Sequence, residues 1–421
     1  MTSPSTDSGV PTFSRRSYLA AGTAVLSSTA GCLDALGLAD TNGSNQNGSG
    51  NGSGGDAIER VGDVESALLD GRVVVLARES ETAGAVDPTA TDTPIQDGLD
   101  FLGANRGGEL RLPPAVIFER EPIRPHSETA IVGFGPGVSE VGFPPNTDGI
   151  RFDREGGVDR VRLDGFALNG PGPGEPSGVG IRHSGGDTQD VSVGRLLLWG
   201  WNNAVYRVDE GVGPFQCRHD QLTIYECDAG DADGLFEFRS SYGPANWFGT
   251  IAAYPTATES GRDSTAFFTR GGTQHIDQLT LGGTVGPAVH QAGGSQFRAE
   301  AVHWEPVDQR DVPNAIVRVL GDGPATIGNV KQASGTTRYV YEVGSDPEFG
   351  TQPGRKRLGP YVMVGNNAWL SETVVNLSAP NAAGMPSFYD GVAADVSVTH
   401  DRAGTGGFRA LGDAGTGVDT S

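Results

Sequence analysis

The sequence predicts an all-β protein: a single-stranded right-handed parallel β-helix, a solenoid closed at its N-terminal end by a short helix. Three observations point there. First, one phrase recurs between Val158 and Pro306: Val161, Leu163, Phe166, Leu168; then Val191, Val193, Leu196, Leu198; then Cys217, His219, Leu222, Ile224; then Gln274, Ile276, Leu279, Leu281; then Phe297, Ala299, Val302, Trp304. Each copy is two alternating positions, a two-residue step, and two more alternating positions, and alternation marks strands with one buried face. A weaker copy lies between Trp247 and Ala253. Second, short apolar runs starting at Ile150, Ile181, Val205, Leu235, Ala266, Ala288, Ile316 and Tyr339 intervene at intervals of roughly 22 to 31 residues, the period of a unit that buries its apolar face only by stacking on a neighbour. Third, 65 glycines without a Gly-X-Y period suit many tight corners and exclude collagen. A propeller blade needs about 40 residues, longer than this period. A β-sandwich is the rival, and it predicts no positional equivalence between units.

In chain order, residues 1–32 read as an address. Ser14-Arg15-Arg16-Ser17-Tyr18-Leu19 resembles a twin-arginine export signal, and a mildly apolar stretch to Ala30 follows, too short and polar to span a bilayer. Thr29-Ala30-Gly31-Cys32 resembles a lipobox, which implies cleavage before Cys32, a lipid on it, and membrane attachment; simple signal cleavage is the alternative. Residues 33–55 form an Asn/Gly/Ser-rich tether with no apolar residues to build a core beyond Asp40. Asn42, Asn47 and Asn51 open glycosylation sequons there, as Asn376 does later. Residues 56–350 are assigned to the coil, and residues 351–421 to a last rung, cap and loose tail. Within the coil's entry, the pattern predicts a helix from Val61 to Leu69 and a strand over Val73–Leu76.

Thr91-Asp92-Thr93-Pro94-Ile95-Gln96, then Gly107-Gly108-Glu109-Leu110-Arg111-Leu112-Pro113, and later Ile131-Val132-Gly133-Phe134-Gly135, resemble the N-terminal entry of the pectate-lyase-like β-helix superfamily. Ile95, Leu99 and Leu102 share one helical face, Asp92 or Thr93 is placed to cap the helix, and Pro94 suits its first turn. Such a helix covers the first rung, where open strand edges would otherwise be exposed. The resemblance implies an exported, polysaccharide-directed protein, either a lyase or a glycoside hydrolase. Departures are plain. The polygalacturonase motifs are missing; Asn146-Thr147-Asp148 occurs, but before the repeats and without its partners. Pectate lyases use a groove arginine and calcium, and Arg182, Arg207, Arg239 and Arg270 lie near one recurrent strand.

The formal charge is −22, from 52 acidic and 30 basic residues, and only Lys331 and Lys356 are lysines. This acidic, lysine-poor composition resembles proteins of extreme halophiles; an ordinary acidic secreted protein is the alternative. Nucleic-acid binding is disfavoured, because no basic stripe exists. Cys217 sits at an inward position, where a free cysteine acts as a small hydrophobe, and a Cys217–Cys227 disulfide is open in an exported chain.

Aligning the phrases singles out the first residue of the step: Asp164, Gly194, Asp220, Asp277, Glu300. This row reads either as a corner ladder bonding local backbone or as carboxylates for acid/base work, with Asp220, Asp277 and Glu300 as catalytic candidates. Rungs stack about 4.8 Å apart, which puts Asp277 and Glu300 on neighbouring rungs and Asp220 two rungs from Asp277. The loop Glu226-Cys227-Asp228-Ala229-Gly230-Asp231-Ala232-Asp233 reads either as a calcium loop, with Asp228, Asp231 and Asp233 as ligands, or as a solvated acidic turn. His303 and Glu305, with Trp199 and Trp201, are the sugar-binding candidates, while Trp304 reads as core. His183, His219, His275 and His290 show no paired metal spacing, and His219 falls inward. The two functional readings are a polysaccharide lyase or hydrolase and a non-catalytic glycan-binding or structural surface protein. Trimerisation, common for such coils, is left open.

Overall fold

A computed structural model describes residues 58–370 apart from 80–82, 244, 255–264, 284–285, 306–314, 338, 344–355 and 359–360, together with 396–398 and 418–419. The export signal, Cys32, the tether, all four sequons and most of the C-terminal region lie outside the described residues. What is described is a right-handed parallel β-helix of about seven turns.

The entry is antiparallel. Helix α1 (Val64–Leu69) is capped by Asp63, whose carboxylate accepts the N–H groups of Glu65 and Ser66. Val73–Ala77 then pairs antiparallel with Ala83–Val86 and with Gly108–Arg111. From Gly108 onward the pairing turns parallel, beginning with Gly108–Arg111 against Thr129–Val132. Helix α2 (Pro94–Ala104) lies over this first rung with Ile95, Leu99 and Leu102 fully buried, as its amphipathic spacing requires. Its cap differs from expectation. Thr93 is the N-cap residue but its side chain caps nothing, and Asp92 is drawn off to Arg120. The acceptor is Glu119, which lies beyond the next strand: its Oε1 takes the N–H groups of Ile95 and Gln96. Glu119 is fully buried, its Oε2 has no partner, and burial pushes its carboxyl up to about 8.

The repeated phrases occupy equivalent places. Leu163 pairs with Val193, Val193 with His219, His219 with Phe248, Phe248 with Ile276, Ile276 with Ala299, and Ala299 with Ile327. The weak copy at Trp247–Ala253 is therefore a full rung. An eight-stranded parallel sheet, from Ile150–Phe152 to Tyr339–Val343, forms a second wall, and a three-stranded one (Val158–Asp159, Thr188–Gln189, Pro214–Phe215) forms a narrow third. In the long sheet the two-residue step is not a corner between two strands. Ser192–Trp199, Arg218–Tyr225, Asn246–Tyr254, Thr273–Gly282 and Gln296–Glu305 are each one continuous strand: the register holds unshifted on either side of the step, and ladder pairing skips only its first residue. Both step residues face outward, which bends the strand; only the first copy is interrupted, at Gly165 (φ 74°).

The corners also differ from the glycine-based expectation. The residue two before the start of five successive outer columns is left-handed: Glu128, Arg160, Asp190, Gln216 and Ala245, with φ between 55° and 65°, and none is glycine. Left-handed backbone costs an L-residue roughly 1–2 kcal/mol, while glycine costs about 0.5–1 kcal/mol in unfolded-chain entropy. Ala245 is exposed, so Ala245→Gly removes no packing. We expect it to raise stability by up to ~1 kcal/mol, read as a higher denaturant midpoint with an unchanged slope; a lower midpoint contradicts the strain assignment.

The lumen is packed with aromatic side chains. Phe152 stacks on His183 at 4.6 Å, His219 on Phe248 at 4.3 Å, and Phe238 on Phe267 at 5.2 Å, with Tyr206 between the two histidines. Cys217 and Cys227 are buried free thiols, not a disulfide, and burial pushes both up to about 12. Among the described residues no helix is long and apolar enough to cross a membrane.

Candidate functional site

The parallel register brings the step residues into one vertical column on the outer face of the long sheet: Asp164, Gly194, Asp220, Gly249, Asp277, Glu300, Gly328. Asp277 and Glu300 are on neighbouring rungs, and Asp220 is two rungs from Asp277 with Gly249 between.

The residues two positions earlier form a companion column, invisible while the phrases are read one at a time: Arg162, Ser192, Arg218, Trp247, His275, Arg298. Side chains two apart on a strand point the same way, so each acid meets its companion. Arg162 pairs with Asp164 at 2.8 Å and Arg218 with Asp220 at 2.7 Å; Arg298 pairs with Glu300. Asp164 also accepts the backbone N–H of Arg195 across Gly194, as a corner ladder requires. Burial pushes Asp164 up, but that N–H and the Arg162 guanidinium outweigh it, and the carboxyl sits below its usual range.

One stretch of the column is different. His275 Nε2 lies 3.4 Å from Asp277 Oδ1 and 3.5 Å from Glu300 Oε1, without a well-formed hydrogen bond to either. Trp247 Nε1, one rung below, donates to that same Asp277 Oδ1, 3.2 Å away. Arg218 lies 4.3 Å over the Trp247 ring. The result is two carboxylates and an imidazole on adjacent rungs, about half exposed, flanked by Gln278 and Thr280. Carboxyl groups held this close to one titratable nitrogen can exchange a proton with each other and with a bound hydroxyl or glycosidic oxygen. Sequence reasoning set His275 aside for want of a metal motif. The missing signal was its register: two residues before an acidic step position.

The proposed sugar-binding residues divide. His303 and Glu305 are on the outer face, and Trp304 between them is fully buried. Trp199 is half-buried on the same face, its Nε1 donating to Glu226 Oε2 at 2.7 Å. Trp201 is a correction. It is fully buried, with Nε1 donating to the Leu168 carbonyl at 3.0 Å, and has no face to offer a ligand. Past the outer strand the chain turns at Gly200 (φ 69°), and the following residue enters the lumen.

The calcium loop is corrected as well. Among the described residues no three His, Cys, Asp or Glu side chains gather as a metal site would require. Asp228 is turned inward, 7% exposed, accepting the Gly230 N–H at 3.3 Å. Asp233 turns instead toward buried Glu237, and its burial and the Glu237 charge hold its carboxyl above the usual range. The arginines in and just past the strands of the eight-stranded sheet are likewise engaged: Arg182 with Asp209, Arg207 and Arg239 with Glu237, and Arg270 with Glu210.

Fold and face together define a parallel β-helix solenoid protein with a mixed acid, imidazole and guanidinium column along its long sheet. No family model, curated protein or solved structure matches the chain.

Proposed function

We propose that this solenoid is an exported, carbohydrate-active protein, tethered through Cys32, that binds a polysaccharide on the outer face of its long sheet and cleaves it at Asp277, His275 and Glu300. The observation that carries this reading is the placement of both carboxylates within 3.5 Å of one imidazole nitrogen on an open face. Neighbouring rungs about 4.8 Å apart suit the short separation of a retaining pair. One carboxyl gives a proton to the departing oxygen while the other attacks the anomeric carbon, and water then releases the sugar with the first carboxyl acting as base. In the eliminative alternative the second carboxyl takes a proton from the sugar ring, and His275 lies beside both. Asp220 is held by Arg218 two rungs away and serves binding rather than proton transfer. The acidic, lysine-poor composition supports a high-salt working environment.

The experiment is turnover on a panel of polysaccharides in molar salt, following reducing ends and the absorbance of unsaturated products. Asp277→Asn should lower turnover at least about 10²-fold with an unchanged circular dichroism spectrum. Wild-type-like turnover in that variant removes Asp277 from the chemistry. A second reading, non-catalytic glycan binding, is favoured by the pairing of Asp164, Asp220 and Glu300 with arginines, which resembles a structural ladder. Binding without turnover on every polymer selects it.

A further inference from the structure

The free N–H groups at the start of helix α2 depend on one distant oxygen. Pro94 has no N–H, and the Asp97 N–H already donates to the Thr93 carbonyl at 2.9 Å. Ile95 and Gln96 remain, and both donate to Glu119 Oε1. Glu119, just past the strand Val116–Phe118, thus does what an N-cap side chain normally does from its own helix. The local candidates are spent. Thr91 and Thr93 donate their hydroxyls to Asp97 at 2.7 and 3.2 Å, and Asp92 is paired with Arg120 at 3.1 Å.

The same residue is fixed to the coil. Its backbone N–H donates to the Gly142 carbonyl at 3.0 Å, on the following rung. Beneath it α2 lies tight on the sheet: a Cβ on Gly98 would come within 2.7 Å of Leu110 and 2.9 Å of Val75. One side chain therefore joins the cap to the first rung. Yet it is fully buried, and its Oε2 has no hydrogen-bond partner among the described residues. A negative charge there would meet only two N–H groups, and Asp97 on the helix and Glu121 further along the chain both repel it. The remaining charged groups along the helix are turned to one another: Asp100 bonds His126 at 2.8 Å and lies 3.5 Å from Arg154.

We propose that Glu119 is a proton-operated latch: the closed cap holds a proton on this carboxyl, and the open cap gives it up to water. Opening breaks the two hydrogen bonds to Oε1, hydrates the carboxyl, releases one proton to solvent and uncovers Val75 and Leu110. The direction follows from the two forms. Burial pushes the closed carboxyl up to about 8, while the hydrated one titrates at its ordinary value of about 4.5. The latch is fully set below about pH 4.5. Its hold weakens as pH rises, by up to about tenfold per pH unit, and the loss levels off above about pH 8. The device works at the N-terminal end of the coil and is independent of what the outer face binds.

The test is hydrogen exchange of the full chain at pH 6, 7 and 8, with rates corrected for the intrinsic effect of pH. The opening constant for the amides of residues 99–104 should rise at least about tenfold from pH 6 to pH 8, while that for Arg218–Tyr225, in the middle of the coil, should not rise. Glu119→Gln keeps an oxygen for Ile95 and Gln96 but has no proton to lose, so its α2 opening should be the same at all three pH values. His126→Gln removes the other titratable group bonded to the helix and should keep the wild-type slope. A flat wild-type response overturns the latch, whether or not Glu119→Gln folds. So does an equal rise in Arg218–Tyr225, which would mean that the whole coil opens. A slope that survives in Glu119→Gln or disappears in His126→Gln places the proton elsewhere and also overturns it.

Discussion

Acidification below about pH 6.5 should destabilise the solenoid steeply, by several kcal/mol before pH 4. Three histidines drive this. His183 is fully enclosed between Phe152 and Tyr206, its Nδ1 3.1 Å from Thr188 Oγ1 and its Nε2 2.8 Å from the Tyr206 hydroxyl; burial, with His219 nearby, pulls it down to about 3. His219 is pulled down by burial to about 4, against the opposing pull of the Trp247 carbonyl and Asp220. His290, packed on Phe268 and facing Arg318, falls to about 3 through burial. In the unfolded chain each titrates near 6.5. The unfolded state therefore takes up protons first: the histidine contribution is complete above about pH 6.5 and is lost as pH falls toward the folded values, offset in part by Glu119, whose raised value makes its own contribution grow as pH falls from about 8. Denaturant titrations at stepped pH measure the slope. His219→Phe keeps the stack on Phe248 and removes a buried ring whose Nε2 has no partner. It should flatten the acid limb while holding stability near neutral pH to within about 1–2 kcal/mol. An acid limb as steep as wild type in this variant would assign the effect elsewhere.

Trp201→Ala should cost about 3–5 kcal/mol. The indole is fully buried, packs on Phe143 at 5.6 Å, and satisfies the Leu168 carbonyl one rung down. Gly149 and Gly170 lie against it: an added Cβ at either would come within about 3.1 Å of its ring atoms. Truncation empties a volume that backbone on several rungs encloses, and relaxation is confined because each rung is hydrogen-bonded to its neighbours. The midpoint of chemical unfolding measures it. A loss below about 1 kcal/mol would mean that the indole is not a structural spacer. Trp199→Ala, on the outer face of the same turn, should cost much less.

Those two tryptophans show where sequence reading stops. Trp199 and Trp201 are two residues apart, and alternation alone places them on the same side. The left-handed Gly200 between them ends the strand and sends the second indole into the lumen. Phase is carried along a strand by local sterics, but at its end it depends on how the chain departs, and the contacts that choose the departure come from other rungs. The cap of α2 is a similar case: Asp92 and Thr93 are the local candidates, whereas buried Glu119 supplies the oxygen. In the acidic loop, alternating carboxylates suggested a cation site, while the fold turns Asp228 inward and aims Asp233 at Glu237.

By itself the sequence determined the solenoid, its repeat, its inward face and the vertical row of acids, because alternation and stacking period are properties of the chain read along its length. The tertiary structure alone decided the companions of that row. His275 meets both Asp277 and Glu300, and Phe118 lines up with Trp199, Tyr225 and Tyr254, because rungs of unequal length stack about 4.8 Å apart and bring together residues tens of positions apart in the chain. Successive rungs differ in loop length and still stack in register, so contacts across rungs are set by the closed coil and not by any single repeat.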